Sequence, residues 1–410
     1  MTISFSWEWQ QAPEVRTPEL AATWCRLMIE VDDIIATLVE EREHSHGVRK
    51  NLDIPTYPLA EWLALNWWKL NTPAHRPNQG EVNLVAAGSG FPWPDLALRS
   101  DRGYVWAEVR QRDRDPDFVR FLTQGRTVLD SEQCIGEIAR FIDAAVRRLE
   151  DSGITGTLLQ QEWSAIQGSG AEEREFCTVA VAWGFDPYDL SGEAAESILA
   201  AGQRVDDPGL LTELARAIDF DSIPAASEWL NAAAETAIVG TAAIPFIGSF
   251  LPRGSGETRP WRIGYQRARG MREFLNLSPT ERAPIESLIE VSSVAENPPS
   301  NVVALVAVNQ VSAGIVLGQQ TDEAARRFAG ARALARKATT SAIGLSLLTK
   351  GSQYSDRAER AFAAEFLAPA AGLQELLDGD YSEDSQRNVA DTLGVSPWVV
   401  EHQIENQLAA

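Results

Sequence analysis

Hydrophobic and polar positions change period several times along this chain, and each change marks an element. Residues 3–9 set Ile3, Phe5 and Trp7 against polar neighbours, the period-two pattern of a half-buried strand. Two further alternating runs lie on either side of Asp32 and Asp33, which predicts a hairpin. Between 57 and 70 the period lengthens: Leu59, Trp62, Leu63, Asn66, Trp67 and Leu70 share one helical face, which has to be buried for the helix to persist. Residues 91–111 read as a second hairpin turning at Ser100–Gly103, and 131–150 as an amphipathic helix that closes the unit.

From 151 the pattern is helical throughout, and its most apolar run, 236–251, is expected to form a buried helix and turn. Glycine, proline and polar residues concentrate at 251–260, where a boundary is expected. Beyond it, Ile263, Ala268 and Met271 mark the inward side of a helix, and two apolar runs within 301–318 predict paired strands. Helical patterns follow to the end. The expectation is an α+β protein with a mixed α/β-hairpin domain at 1–150, a helical linker or scaffold at 151–254, and a third domain at 255–410 made of helices and a short sheet.

Composition narrows the partners. Lys and Arg number 36 against 58 Asp and Glu, a net charge of −22, so the average surface repels a phosphate backbone and no direct nucleic-acid partner is expected. Cys25, Cys134 and Cys177 show no paired spacing, which fits a reducing cytoplasm better than a disulfide framework or a zinc knuckle. The N-terminus lacks a basic region followed by an apolar core, and the 236–251 run is too short and too interrupted to span a bilayer, so neither secretion nor a membrane role is expected.

The order helix, strands, helices, with Arg326-Arg327-Phe328 opening one helical run and Phe362-Ala363-Ala364, Leu367 and Pro369 in the next, resembles the ImmA/IrrE family of metallopeptidases. That resemblance covers about 150 residues, and Tyr57–Trp68 looks like the front end of longer relatives. It implies a zincin-related fold with a helix reading roughly R-R-F-x-x-A-H-E-x-G-H. Aligned on Phe328 and Ala331, Arg332 stands at the first histidine, Ala333 at the glutamate and Arg336 at the second histidine, while the acidic ligand falls near Asp356. The family implies roles in bacterial stress response, repressor control, or phage and mobile-element defence.

Zinc hydrolysis of that kind needs two neutral imidazoles four residues apart, an anionic third ligand, and a glutamate to take a proton from the metal-bound water. Two guanidinium groups repel a divalent cation, and alanine accepts no proton. No zinc or other cofactor is therefore expected, and no catalytic residue in this helix. His44, His46, His75 and His402 offer no three-ligand spacing, which leaves a metallopeptidase with unusual ligands as a weaker alternative. Arg332 and Arg336 either bridge to Asp356 or Glu359 on the next helix or stand solvated on an exposed face. The favoured function is a pseudopeptidase that binds another protein, a basic or DNA-binding one suiting the acidic chain, with the old substrate groove as its face and a fixed positive charge there to grip it.

An alternative of another class is a divalent-metal nuclease. Pro94-Asp95, Glu108 and Arg110 approximate the P-D…(D/E)-x-K pattern, in which two acids on adjoining strands hold Mg²⁺ and a cation orients the attacking water. The same residues also suit the polar side of an ordinary half-exposed strand. Residues 389–407 have helix-turn-helix-like spacing, but the second helix carries Glu401 and Glu405 and no Lys or Arg, so its signal is structural.

Overall fold

A computed structural model describes residues 2–42, 47–73, 80–112, 118–205, 207–250, 259–340 and 343–408. It is α+β, and its contacts divide the chain into two compact units that meet between Ser191 and Gly192. This point lies inside the all-helical stretch, whose first helices pack with the helices that precede it and whose last ones pack with the following sheet.

The first unit starts with β1 (Ile3–Trp9), a short α1 (Pro18–Ala22), β2 (Trp24–Val31), β3 (Ile34–Ile35), β4 (Val39–Glu41), β5 (Val48–Arg49) and β6 (Leu52–Pro55). β2 pairs antiparallel with β1, β3 and β6, and Asp32 and Asp33 make the expected turn, with Asp32 in the left-handed region at φ 50°. Next come α2 (Tyr57–Leu65), α3 (Trp67–Asn71), β7 (Glu81–Asn83), β8 (Leu96–Asp101), β9 (Tyr104–Val109), β10 (Val119–Phe121) and β11 (Gly125–Asp130). The helical face read over 57–70 is broken at Asn66, whose side chain donates to Trp62 O at 2.9 Å and ends α2. A second sheet has the order β11-β9-β8-β7, and its β8–β9 hairpin turns at Arg102 and Gly103. Gly103 adopts φ 68°, a conformation that side chains strain to reach. Then follow α4 (Ser131–Asp151), capped by Asp130 and burying Ile138, Phe141, Ile142, Ala145 and Leu149, and α5 (Leu158–Gly168) and α6 (Ala171–Ala182). The three cysteines are buried free thiols; burial pushes Cys25 and Cys134 up to about 12 and Cys177 up to about 11.

The second unit contains α7 (Gly192–Arg204), α8 (Pro208–Ala217), α9 (Ile223–Thr236), α10 (Pro260–Phe274), α11 (Ile285–Leu288), β12 (Ile289–Val294), β13 (Val302–Val308), β14 (Ala313–Gly318), α12 (Glu323–Thr339), β15 (Gly344–Thr349), α13 (Tyr354–Leu367), α14 (Ala370–Leu377), α15 (Glu383–Leu393) and α16 (Pro397–Gln403). Its sheet order is β12-β14-β13-β15, with the antiparallel β13–β14 pair at the centre, as the two apolar runs predict, and β12 parallel to β14. Ile263, Ala268 and Met271 face inward on α10. The buried helix expected at 236–251 is not there. α9 ends at Thr236, and 237–250 has neither helix nor strand, because Gly240, Pro245 and Gly248 interrupt any helical ladder. Its backbone bonds to the β13–β14 loop and to α12 instead: Ile244 N donates to Val311 O at 2.9 Å and Ile247 N to Ala338 O at 2.8 Å, while Ile238 and Phe246 stay exposed. Among the described residues, no helix is long and apolar enough to cross a membrane.

Candidate functional site

Helix α12 is buried at every residue from Ala329 to Thr339, so its cations need partners inside the protein. Arg332 and Arg336, one turn apart, face Asp356 and Glu359 on α13. Arg336 makes a two-pronged contact with Glu359, Nε to Oε1 at 2.8 Å and Nη2 to Oε2 at 3.0 Å. Arg332 Nη2 lies 3.3 Å from Glu359 Oε2 and 3.5 Å from Asp356 Oδ1. The four residues are only 2–8% exposed. Of the two readings open for the arginines, the bridge is the observed one. Burial pulls Arg332 below its usual range, and Glu359 and then Asp356 oppose that shift. Asp356 is the weaker partner: its Oδ1 and Arg332 Nε have no hydrogen-bond partner among the described residues.

The same arginines reach the edge strand β15. Arg332 Nη1 donates to Thr349 O at 3.0 Å, and Arg336 Nη1 donates to Leu347 O at 2.9 Å and Ser346 Oγ at 3.0 Å. Leu347 N donates to Glu213 of α8. Three of the backbone groups with which an added strand would pair at this edge, Leu347 N, Leu347 O and Thr349 O, are therefore taken by side chains. This corrects the expected interaction face. The guanidinium groups are enclosed and matched by carboxylates, so they present no positive charge to a partner in that groove. Ala333 lies fully buried between them.

A zinc ion does not fit this donor set, since two of the four positions are permanently cationic and a third has no donor atom. Among the described residues, no group of three or more His, Cys, Asp or Glu comes together in a form that would hold a metal ion. His44, His46 and His75 lie outside the described residues; His402 lies against Trp398 with ring centroids 4.1 Å apart and the rings tilted by 58°.

Asp95, Glu108 and Arg110 do share one face of the β7–β8–β9 sheet, because Ala97 stands opposite Glu108 in the hairpin register. They are not assembled as a metal site. Arg110 grips Glu81 through both terminal nitrogens at 2.9 Å and Glu108 through Nε at 2.9 Å, while Asn83 donates to Asp95 at 2.7 Å. Hydrogen bonding to Arg110 holds Glu81 below the ordinary carboxylate range. Glu81, Glu213 and β15 were not singled out from sequence; the alternation of Leu345, Leu347 and Thr349 is too short a signal to separate a strand from a loop.

The helix-turn-helix-like ending is docked into its unit. Arg327 donates to Gly394 O at 2.9 Å, and Gln403 donates to the buried Glu365 at 2.9 Å. Neither a family model nor a curated protein matches this sequence.

Proposed function

We propose that this chain is a catalytically inert, ImmA/IrrE-like protein that acts by binding another protein. The observation that supports it is the buried Arg332–Glu359–Arg336 bridge, which stands where the resemblance places the metal and its base. A guanidinium pair held by a carboxylate activates no water, yet ties α12, α13 and β15 together. The buried free thiols suit a reducing cytoplasm, and the resemblance suggests bacterial stress response or phage and mobile-element defence as the setting. A net charge of −22 favours a basic partner, such as a DNA-binding protein of the same pathway.

The test restores the motif. Arg332→His, Ala333→Glu and Arg336→His together, with Asp356 kept, are expected to yield a protein that binds about one zinc per chain, while the unaltered chain binds none. Elemental analysis after dialysis reads both. Stoichiometric zinc in the unaltered chain, or peptide cleavage by it that a chelator abolishes, overturns the proposal. Failure of the folded triple variant to bind zinc removes the family resemblance as its basis.

A further inference from the structure

The outer edge of β1 is open. It is the terminal strand of its sheet, and among the described residues no strand pairs with its far side. The pairing with β2 fixes which backbone groups face outward. Thr2 O accepts from Asp32 N, and Gln10 N donates to Trp24 O, both at 2.9 Å, so even-numbered residues turn toward β2. Ile3, Phe5, Trp7 and Trp9 therefore turn their N–H and C=O groups away from the sheet. One acceptor in that row is engaged, since Arg140 Nη2 donates to Phe5 O at 2.7 Å.

A groove of about 510 Å³ runs beside this row, walled by Gln133, Gly136, Glu137 and Arg140 of α4. Edge strands are ordinarily guarded by lysine, proline or a bulge. β1 has seven residues and one charge, Glu8. Gly136, inside a 21-residue helix, leaves the helix wall open there, since a Cβ would meet nothing within 4 Å.

We infer that the occupant is a second copy of this chain, with β1 pairing antiparallel to its counterpart across a two-fold axis and the two α4 helices approaching at Gly136. An antiparallel edge is complementary to itself under that symmetry, since the same alternating donors and acceptors meet from both sides. Charge favours the same face. Two chains of net charge −22 can meet closely only where local charge cancels, and here Glu137 and Arg140 neutralise each other at 2.7 Å beside the uncharged Thr2, Ser4 and Ser6. The inference stands apart from the reading of the C-terminal helices.

Sedimentation equilibrium of the full chain tests it, paired with amide hydrogen exchange. A species of twice 44.9 kDa is expected. Its formation should slow exchange at Ile3, Phe5 and Trp7 in a concentration-dependent way. Gly136→Lys puts like charges at the axis while improving helix propensity, so the variant folds, and it should weaken the dimer at least tenfold, about 1.4 kcal/mol. A chain that stays monomeric up to about 100 μM, where even a micromolar dimer would be nearly complete, overturns the inference. So does a dimer that Gly136→Lys leaves intact with these amides unprotected. Protection independent of concentration also overturns it, since the edge would then be covered within one chain or by an added peptide.

Discussion

Removing Glu359 should be far more costly than removing a surface carboxylate. In Glu359→Ala, Arg336 loses both prongs of its contact, and Arg332 keeps Asp356 at 3.5 Å as its remaining carboxylate beside its bond to Thr349 O. Two buried cations are then left with one poorly placed anion. Breaking a buried pair from one side costs about 3–5 kcal/mol, against roughly 0.2–1 kcal/mol for an exposed pair. In a unit of this size that corresponds to a fall in melting temperature of roughly 6–20 °C. Urea and thermal unfolding of the full chain, followed by far-UV circular dichroism, measure it. A double-mutant cycle with Arg336→Ala separates the bridge from general damage, because partners in direct contact should show a coupling of about 1–3 kcal/mol. A loss below about 1 kcal/mol for Glu359→Ala, or a coupling near zero, would show that the two helices are not held by this bridge.

Two glycines of α10 should respond oppositely to alanine: at Gly264 the added Cβ would lie 2.4 Å from Ala358 O and 2.8 Å from Ala361 Cβ, whereas at Gly270 it meets nothing within 4 Å. Gly264→Ala should cost about 1–3 kcal/mol or more by forcing α10 from α13, and Gly270→Ala should gain about 0.5–1 kcal/mol, both read from urea midpoints. Arg110 holds Glu81 below its reference of 4.5, so the stability it contributes is present above that pH and is lost as the pH falls through the lower folded value. Glu81→Gln should accordingly flatten the acid limb of unfolding followed by tryptophan fluorescence, and an unchanged acid limb would refute the linkage.

Elements with strong local signals were legible in the sequence, and those fixed by tertiary pairing were not. The hairpins at Asp32–Asp33 and at Ser100–Gly103 announce themselves by turn residues between alternating runs, and α4 by its spacing of Ile138, Phe141, Ile142 and Ala145. The break at Asn66 is invisible to a helical-face count, because its apolar positions continue in register while the Asn66 backbone leaves helical geometry at φ −107° and ψ 17° and its side chain folds back to Trp62 O. The run at 236–251 misleads for a related reason. Its apolar content suggests burial in a helix, but its glycines and proline leave it as irregular chain that bonds to the β13–β14 loop and to α12. At the candidate site, the i and i+4 spacing of Arg332 and Arg336 and the acids at 356 and 359 allowed the bridge to be anticipated. Burial of the whole cluster and the part played by β15 depend on contacts across 10 to 17 residues or more, which no periodicity encodes.

The geometry of α12 also accounts for why arginine suits these positions. Over residues 329–339, where α12 is buried on all sides, the helix aims residues 332 and 336 at one place, where α13 and the edge of β15 converge. Imidazoles at such positions need an ion to join them, because each has a single lone pair to offer when neutral. Guanidinium groups need none: five donors apiece let Arg336 hold Glu359 with two nitrogens and still donate to Ser346 and Leu347. The consequence for binding is direct. Backbone groups of β15 engaged from within, Leu347 N, Leu347 O and Thr349 O, cannot also pair with an incoming strand, so a partner that adds by backbone pairing meets less competition at β1, whose outward groups are largely unpaired among the described residues.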